Sequence, residues 1–411
     1  MPKAVILVSG KHPGQAGGHE TYVRAHALAA TAAGFEPHIF CADSASSMVA
    51  HDFGIVHSIA WPLPVHSAWA CVCRPFLASA IETFLRDQSP PHLIHGFGPW
   101  SCVSVAVKRR LARRGVAVTV LSSAYATLMY ESRAHVERSR IERSLAKWLR
   151  YRIQALWIRA IADRMERQGY AGSRLVLVNY DSVRRLLLDA YNLAVEIRRI
   201  PYATVLAFRD SLASAVPGAC AILDSLAPAD APLVVCVSRH TPRKGIDVLI
   251  HALAQLNRAG VGFRACLIGP GTMIEVHRRM TAELGLSGKV AIPGQVENPF
   301  EYLRRADIYV LPSLAEASGS LSLLEAMQAG TAIVASACDG IPEDLTAGQD
   351  ALMFPPGDAT ALSRALAQLI ADGALRERLS ERARATYQRR FSAAAFTQAI
   401  ASTYRDLGFV P

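Results

Sequence analysis

The chain has 411 residues, 51% hydrophobic and 19% charged, with a net charge of +10 and no low-complexity tract; this excludes a disordered or fibrous protein and leaves room for two domains with full cores. No apolar run reaches the ~18 residues of a membrane span, and Ala4–Val8, ahead of Ser9, Gly10, Lys11 and His12, is too short and wrongly flanked for a signal peptide, so a cytoplasmic location is expected. Eight scattered cysteines lack zinc-ribbon or thioredoxin spacing and read as reduced, buried thiols, while the charge calls for an anionic partner: a nucleotide diphosphate, an anionic membrane surface or a nucleic acid.

Through the first 200 residues, short apolar runs at 5–8, 38–41, 93–95, 116–121 and 175–178 alternate with helical stretches, the pattern of βα units around a parallel sheet. Gly10, Gly14, Gly17 and Gly18 fall between the first strand and a helix beginning near His19. This is neither the dinucleotide GxGxxG pattern nor a P-loop. Gly17-Gly18 reads either as backbone that closes on a diphosphate and acceptor or as a plain tight turn, and His19 and Glu20 are expected to face an acceptor. His95 ends the strand at 93–95, at the carboxyl edge where α/β sheets bind ligands; a purely structural histidine is the alternative. His92 lies three positions away, on the opposite strand face, so the two cannot chelate one metal. The next strand ends in Leu121-Ser122-Ser123-Ala124-Tyr125.

Residues 133–167 carry ten Arg or Lys against four acids, and Ile141, Leu145, Trp148, Leu149, Ile153, Leu156, Trp157 and Ile161 keep helical spacing. The segment is expected to form a long basic amphipathic helix or helix pair. Its apolar stripe either packs on the sheet or meets an anionic membrane surface, an option that Lys108, Arg109, Arg110, Arg113 and Arg114 strengthen. No nucleic-acid motif accompanies the charge, so that class ranks last.

A break is expected near Pro201–Phe208, where a proline ends a strand ahead of irregular sequence. Beyond it the βα alternation repeats, with strands expected at 233–237, 264–268, 290–292, 308–311, 332–335 and 352–354. The first ends in Ser238-Arg239-His240-Thr241-Pro242-Arg243-Lys244-Gly245, which sets two cations, Arg239 and Lys244, where they can clamp a diphosphate. The strand at 308–311 runs through a small-residue turn into a helix bearing Glu325, with Glu316 ahead of it. The backbone N–H groups near Ser320, Leu321 and Ser322 and the helix dipole suit an anion there, so the segment reads as a phosphate-and-sugar site.

Together these residues resemble glycosyltransferase family 4: the glycine loop at Gly17-Gly18, Arg239 with Lys244, Leu267-Ile268-Gly269-Pro270-Gly271, the glutamate segment, and Asp339-Gly340-Ile341-Pro342-Glu343-Asp344. The resemblance covers most of the chain. It implies an α/β GT-B fold of two tandem Rossmann-like domains with a crevice between them. Residues 1–203 would bind the acceptor and 204–392 the nucleotide sugar, with a final helix within 393–411 crossing back onto the first domain. The implied reaction is a retaining, metal-independent transfer of a hexosyl or N-acetylhexosaminyl group from a nucleotide diphosphate sugar, UDP-linked, to an acceptor hydroxyl, with no cofactor. The acceptor is a saccharide, a lipid-linked saccharide or a small molecule. By the same resemblance Glu325 bonds the ribose hydroxyls, Glu316 and His95 meet the reacting sugar, and Glu343 lies beside the donor.

Two departures stand out. Glu316 and Glu325 enclose eight residues where the family has seven, with Ala317 at the position strict spacing would give the first glutamate. Either a residue loops out between Gly319 and Leu321, or Glu316 does not reach the sugar. Tyr125 stands where related enzymes often carry a histidine, so acceptor contacts there are expected to differ, with sugar stacking on the ring one option. An epimerase of the same fold and a nucleotide-sugar-binding protein without turnover are the competing readings.

Overall fold

The computed structural model describes residues 3–15, 17–62, 70–130, 132, 145–208, 217–316 and 319–411. The chain divides into two compact units, Met1–Phe208 with Ala393–Pro411, and Arg209–Ser392. The division lies at Phe208 and not at Ala203 because Val205–Phe208 form a short turn that packs on the helix Gly18–Ala32.

The first unit is built on eight strands: β1 (Ala4–Val8), β2 (Glu36–Asp43), β3 (Ser47–His51), β4 (Gly54–Ala60), β5 (His92–Phe97), β6 (Val118–Ala124), β7 (Leu175–Val178) and β8 (Glu196–Arg199). They lie in the order β3-β4-β2-β1-β5-β6-β7-β8, parallel throughout except for the β3–β4 hairpin. The hairpin does not show in hydropathy because β3 is an edge with Met48 and Val49 turned to solvent. The helix Ala393–Asp406 covers Gly18–Ala32: the Phe396 ring meets His26 at 4.9 Å, Tyr404 meets Phe35 at 5.2 Å, and Arg198 bonds Asp406 at 2.6 Å.

Among its described residues the second unit has six strands, all parallel: β9 (Leu233–Val237), β10 (Arg264–Ile268), β11 (Val290–Gly294), β12 (Ile308–Leu311), β13 (Ala332–Ser336) and β14 (Leu352–Phe354). Their order is β11-β10-β9-β12-β13-β14. The central strands read Leu-Val-Val-Cys-Val, Ile-Tyr-Val-Leu and Ala-Ile-Val-Ala-Ser and are buried almost throughout, as parallel strands covered on both faces must be. Val234, Leu249, Leu253, Leu267, Val310, Leu362 and Leu366 anchor the core between that sheet and its helices. Chain order reverses between β9 and β12. Their carboxyl ends therefore flank the switch point at which open α/β sheets bind ligands.

The basic segment forms the helix Leu145–Trp157, which continues through a π-helical turn at Ile158–Ala162 into the helix Asp163–Ala171. Glu166 anchors its far end, accepting bonds from the Leu128 N–H (2.8 Å) and the hydroxyls of Tyr170 (3.0 Å) and Tyr191 (2.6 Å). Ile141 lies outside the described residues. Trp157 packs against Leu128, Ile158 and Ala162, but most of the stripe corrects the sheet-packing option: Leu145 is 77% exposed, Leu149 49%, Ile153 57% and Leu156 67%. Trp148 and Ile161 are also exposed, and burial falls to Ala155, Ile158 and Ala162 on the other side of the helix.

Candidate active site

After β9 the chain makes a 3-10 turn at Pro242–Lys244 and enters the helix Ile246–Arg258 through Gly245. Gly245 has φ +61°, and a Cβ there would stand 2.0 Å from the carbonyl oxygen of Pro312, just past β12. The Leu314 and Ala315 N–H groups both donate to the Arg243 carbonyl, at 2.8 and 3.3 Å. The turns after the two switch-point strands are thus locked together backbone to backbone. That lock brings Lys244 to Glu316.

The Lys244 Nζ donates to both oxygens of the Glu316 carboxylate, at 2.6 Å to Oε1, with both side chains buried. Burial pulls the Lys244 pKa down, opposed mainly by the Glu316 charge. The Glu316 N–H donates to Asp339 Oδ2 at 2.5 Å, and Ser336 Oγ donates to the Ser313 carbonyl at 2.6 Å, so the end of β13 holds the glutamate loop as well. Arg239 is exposed at the mouth of the same turn. His240, next to it, is fully buried with its Nδ1 2.9 Å from His277 Nδ1, which fastens the turn to the helix Ile274–Glu283. The resemblance gives Lys244 and Glu316 separate tasks; no spacing in the sequence shows that they pair, and none points to Asp339 as the acceptor that holds the glutamate loop.

The helix Leu321–Ala329 starts after Ser320, whose backbone is extended. The Leu323 and Leu324 N–H groups donate to the Ser320 carbonyl at 3.1 and 3.3 Å, which leaves the N–H groups of Leu321 and Ser322 as the anion donors at the helix start. Ser322 Oγ lies 2.8 Å from the Tyr309 hydroxyl and 3.2 Å from Ser320 Oγ. Glu325 sits one turn along, partly buried, and burial pushes its carboxyl up to about 7. Glu343 lies in the short helix Ile341–Asp344, whose Glu343 and Asp344 carbonyls are gripped by Arg390 at 2.8 and 3.1 Å. Ala317 and Ser318 lie outside the described residues; Ser320, the residue between Gly319 and Leu321, is buried at the N-cap of the helix. The Glu316 carboxylate itself is spent on Lys244.

In the first unit Gly17 and Gly18 are exposed at the start of Gly18–Ala32. A Cβ on Gly17 would meet Glu20 Oε2 at 2.0 Å, whereas the space above Gly18 is open. Glu20 is buried beside that loop, and His19 is partly buried, edge-on to Phe97 and Tyr125 at 6.4 Å. Two expectations are corrected. His95 is fully buried, with Nε2 2.8 Å from Ser123 Oγ and its ring stacked on Phe97 at 4.4 Å, so it packs inside the unit and does not present an edge to a sugar. Tyr125 lies flat against Tyr22 at 4.4 Å and is only 9% exposed, so the ring face is already covered.

The buried histidines set a pH dependence. His26 and His240 are both pushed down to about 4, by burial first, and His57 likewise. Unfolded, each titrates near 6.5, so between about pH 6.5 and 4 the unfolded chain binds protons that the folded one refuses. Stability therefore falls with acid by about 1.4 kcal/mol per pH unit per histidine. Glu325, raised to about 7, binds its proton earlier in the folded state and offsets one of them. The free energy of unfolding in urea should fall as the pH drops through this window, and His26→Leu should make the slope shallower. A flat profile from pH 7 to 5 would contradict the burial of His26 and His240.

Among the described residues no three His, Cys, Asp or Glu side chains converge as metal ligands. A family model described as Glycosyltransferase Family 4 matches residues 16–204, and one described as Glycosyl transferases group 1 matches residues 223–386. The chain is similar to the lipopolysaccharide core biosynthesis glycosyltransferase LpsD of Rhizobium meliloti, 31% identical over 62% of this chain and 69% of that protein. It is also similar to LpsE of the same organism, 35% identical over 42% of this chain but only 49% of that protein's length. Among solved structures, sucrose-phosphate synthase from Thermosynechococcus elongatus aligns over 99% of both chains with a TM-score of 0.76 at 24% identity. Anabaena HepE, solved with UDP and glucose, aligns over 98% of this chain and 100% of that one with a TM-score of 0.70 at 18% identity. Two parallel-sheet α/β units and these likenesses identify the GT-B fold. With both halves matched and LpsD covered over most of its length, the chain belongs to glycosyltransferase family 4.

Proposed function

We propose that this chain is a retaining glycosyltransferase that moves a hexosyl or N-acetylhexosaminyl group from a nucleotide diphosphate sugar, UDP-linked, to an acceptor hydroxyl. The observation that carries the reading is the grouping of Lys244, Glu316 and a helix start at the β9–β12 switch point, with Arg239 at its mouth. A departing diphosphate needs fixed positive charge, and a guanidinium, an ammonium and helix N–H groups supply it. Glu325 is placed on the same helix to accept from ribose hydroxyls, which asks it to be ionised. Glu316, once off Lys244, is the carboxylate for the sugar. The Gly18 backbone and Glu20 belong to the acceptor unit, and transfer proceeds on one face of the sugar without a covalent enzyme intermediate. The likeness to LpsD and LpsE, lipopolysaccharide core biosynthesis glycosyltransferases, and to HepE, solved with UDP and glucose, favours a UDP-sugar donor and a saccharide acceptor. A panel of UDP- and GDP-sugars assayed for hydrolysis and transfer tests this. Release of UDP supports it; tight UDP binding with neither reaction would favour a binding protein instead.

The acceptor is proposed to be lipid-borne, which brings the protein to the cytoplasmic face of a membrane. On the helix Leu145–Trp157, Leu145, Leu149, Ile153 and Leu156 share one outward arc opposite the buried Ala155 and Ile158, and the exposed Arg150 and Arg152 border it. Val72 and Phe76 are exposed on Ala70–Leu85, which touches the continuation of that helix, and Arg74 and Arg109 line a shallow pocket in the same layer. An apolar ridge flanked by arginines fits an anionic bilayer. Co-sedimentation with phosphatidylglycerol vesicles at low salt is expected, with a loss of at least about tenfold on Leu149→Asp with Ile153→Asp. Equal binding by the double variant would contradict it.

A further inference from the structure

The cation meant for the diphosphate is already paired with a carboxylate of this chain. Lys244 is 8% exposed and Glu316 5%, and the ammonium donates to both carboxylate oxygens. A buried ammonium needs a counter-ion, because an unpaired charge is strongly disfavoured away from water. Glu316 supplies it. Its main chain has little room to move: its N–H is held by Asp339, the two residues before it donate to the Arg243 carbonyl, and Gly245 sits against Pro312. Only the glutamate side chain is left to turn away.

We propose that Glu316 is a stand-in for the donor's phosphate: the incoming diphosphate displaces the carboxylate from Lys244, and that exchange releases Glu316 to act on the sugar. The inference rests on the diphosphate reading of this site. No covalent step is involved; one buried ion pair is traded for another, so the ammonium is never left without an anion. Two consequences follow from the geometry. The carboxylate competes with every ligand that puts a phosphate on Lys244, and it is withheld from chemistry until a donor has bound. Glu316→Gln removes the competing charge while keeping size and hydrogen-bonding capacity.

Calorimetric titration of the full chain with UDP, inorganic pyrophosphate and UMP separates the possibilities. Glu316→Gln should bind UDP and pyrophosphate roughly 3- to 10-fold more tightly than wild type, gain less for UMP, which lacks the distal phosphate, and turn over more slowly. Unchanged or weaker UDP and pyrophosphate binding by Glu316→Gln would overturn the exchange, since a carboxylate that merely positions Lys244 would weaken binding when removed. Thermal melting of the variant reports whether it is folded, and Glu316→Asp, which keeps the charge, should show no gain. If wild type binds neither UDP nor pyrophosphate, the diphosphate reading fails and the exchange with it.

Discussion

An Arg239→Ala chain is expected to lose about 10²–10³ in kcat/KM for the nucleotide sugar with its stability changed by only about 0.5 kcal/mol, because the side chain is exposed. Lys244→Ala should lose at least as much activity and also stability. It strands the buried Glu316 carboxylate without its partner, a change that costs about 3–5 kcal/mol when the remaining charge stays buried. Stability separates the two variants, whereas activity does not. Steady-state kinetics alongside urea unfolding reads both, and an Arg239→Ala enzyme as fast as its parent would remove the clamp from the account.

Gly245→Val should have the second large effect. At φ +61° a β-branched residue is strained, and its Cβ would run into the Pro312 carbonyl, which is backbone and cannot yield as a flexible side chain would. The turns after β9 and β12 must part, and with them the register of Lys244 against Glu316. A loss of about 2–4 kcal/mol in unfolding free energy is expected, together with nearly all transfer activity. Gly260→Ala serves as control: it also replaces a glycine at positive φ, but no atom lies within 4 Å of its Cβ position, so it carries the backbone strain without the collision. Equal stability of Gly245→Val and Gly260→Ala would show that the two turns are not locked as described.

Much of the fold was legible because the strands of the second unit are short, largely apolar runs separated by helical periodicity, and each is found within two residues of where its pattern puts it. The β3–β4 hairpin was missed for the converse reason: an edge strand with its side chains in solvent carries no burial signal. The site was legible as a set of chemical types at the ends of strands. Its pairings were not, since the contact between Lys244 and Glu316 depends on which strands are neighbours, and β9 and β12 are brought side by side only by the sheet order. His95 illustrates the opposite error. A histidine at the carboxyl end of a strand has the address of a site residue, but Phe97, His26 and Ser123 enclose it completely. The basic helix shows why periodicity alone left two options open, because a stripe that packs inward and one that faces outward have the same spacing.

The central claim is that side chains of this protein, and not a divalent ion, neutralise the diphosphate as it leaves. Initial rates of sugar-nucleotide turnover by the wild-type chain, measured in EDTA and again with added Mg²⁺ or Mn²⁺, test it most directly. The account predicts the same rate in all three; turnover abolished by the chelator and restored by either metal would contradict it.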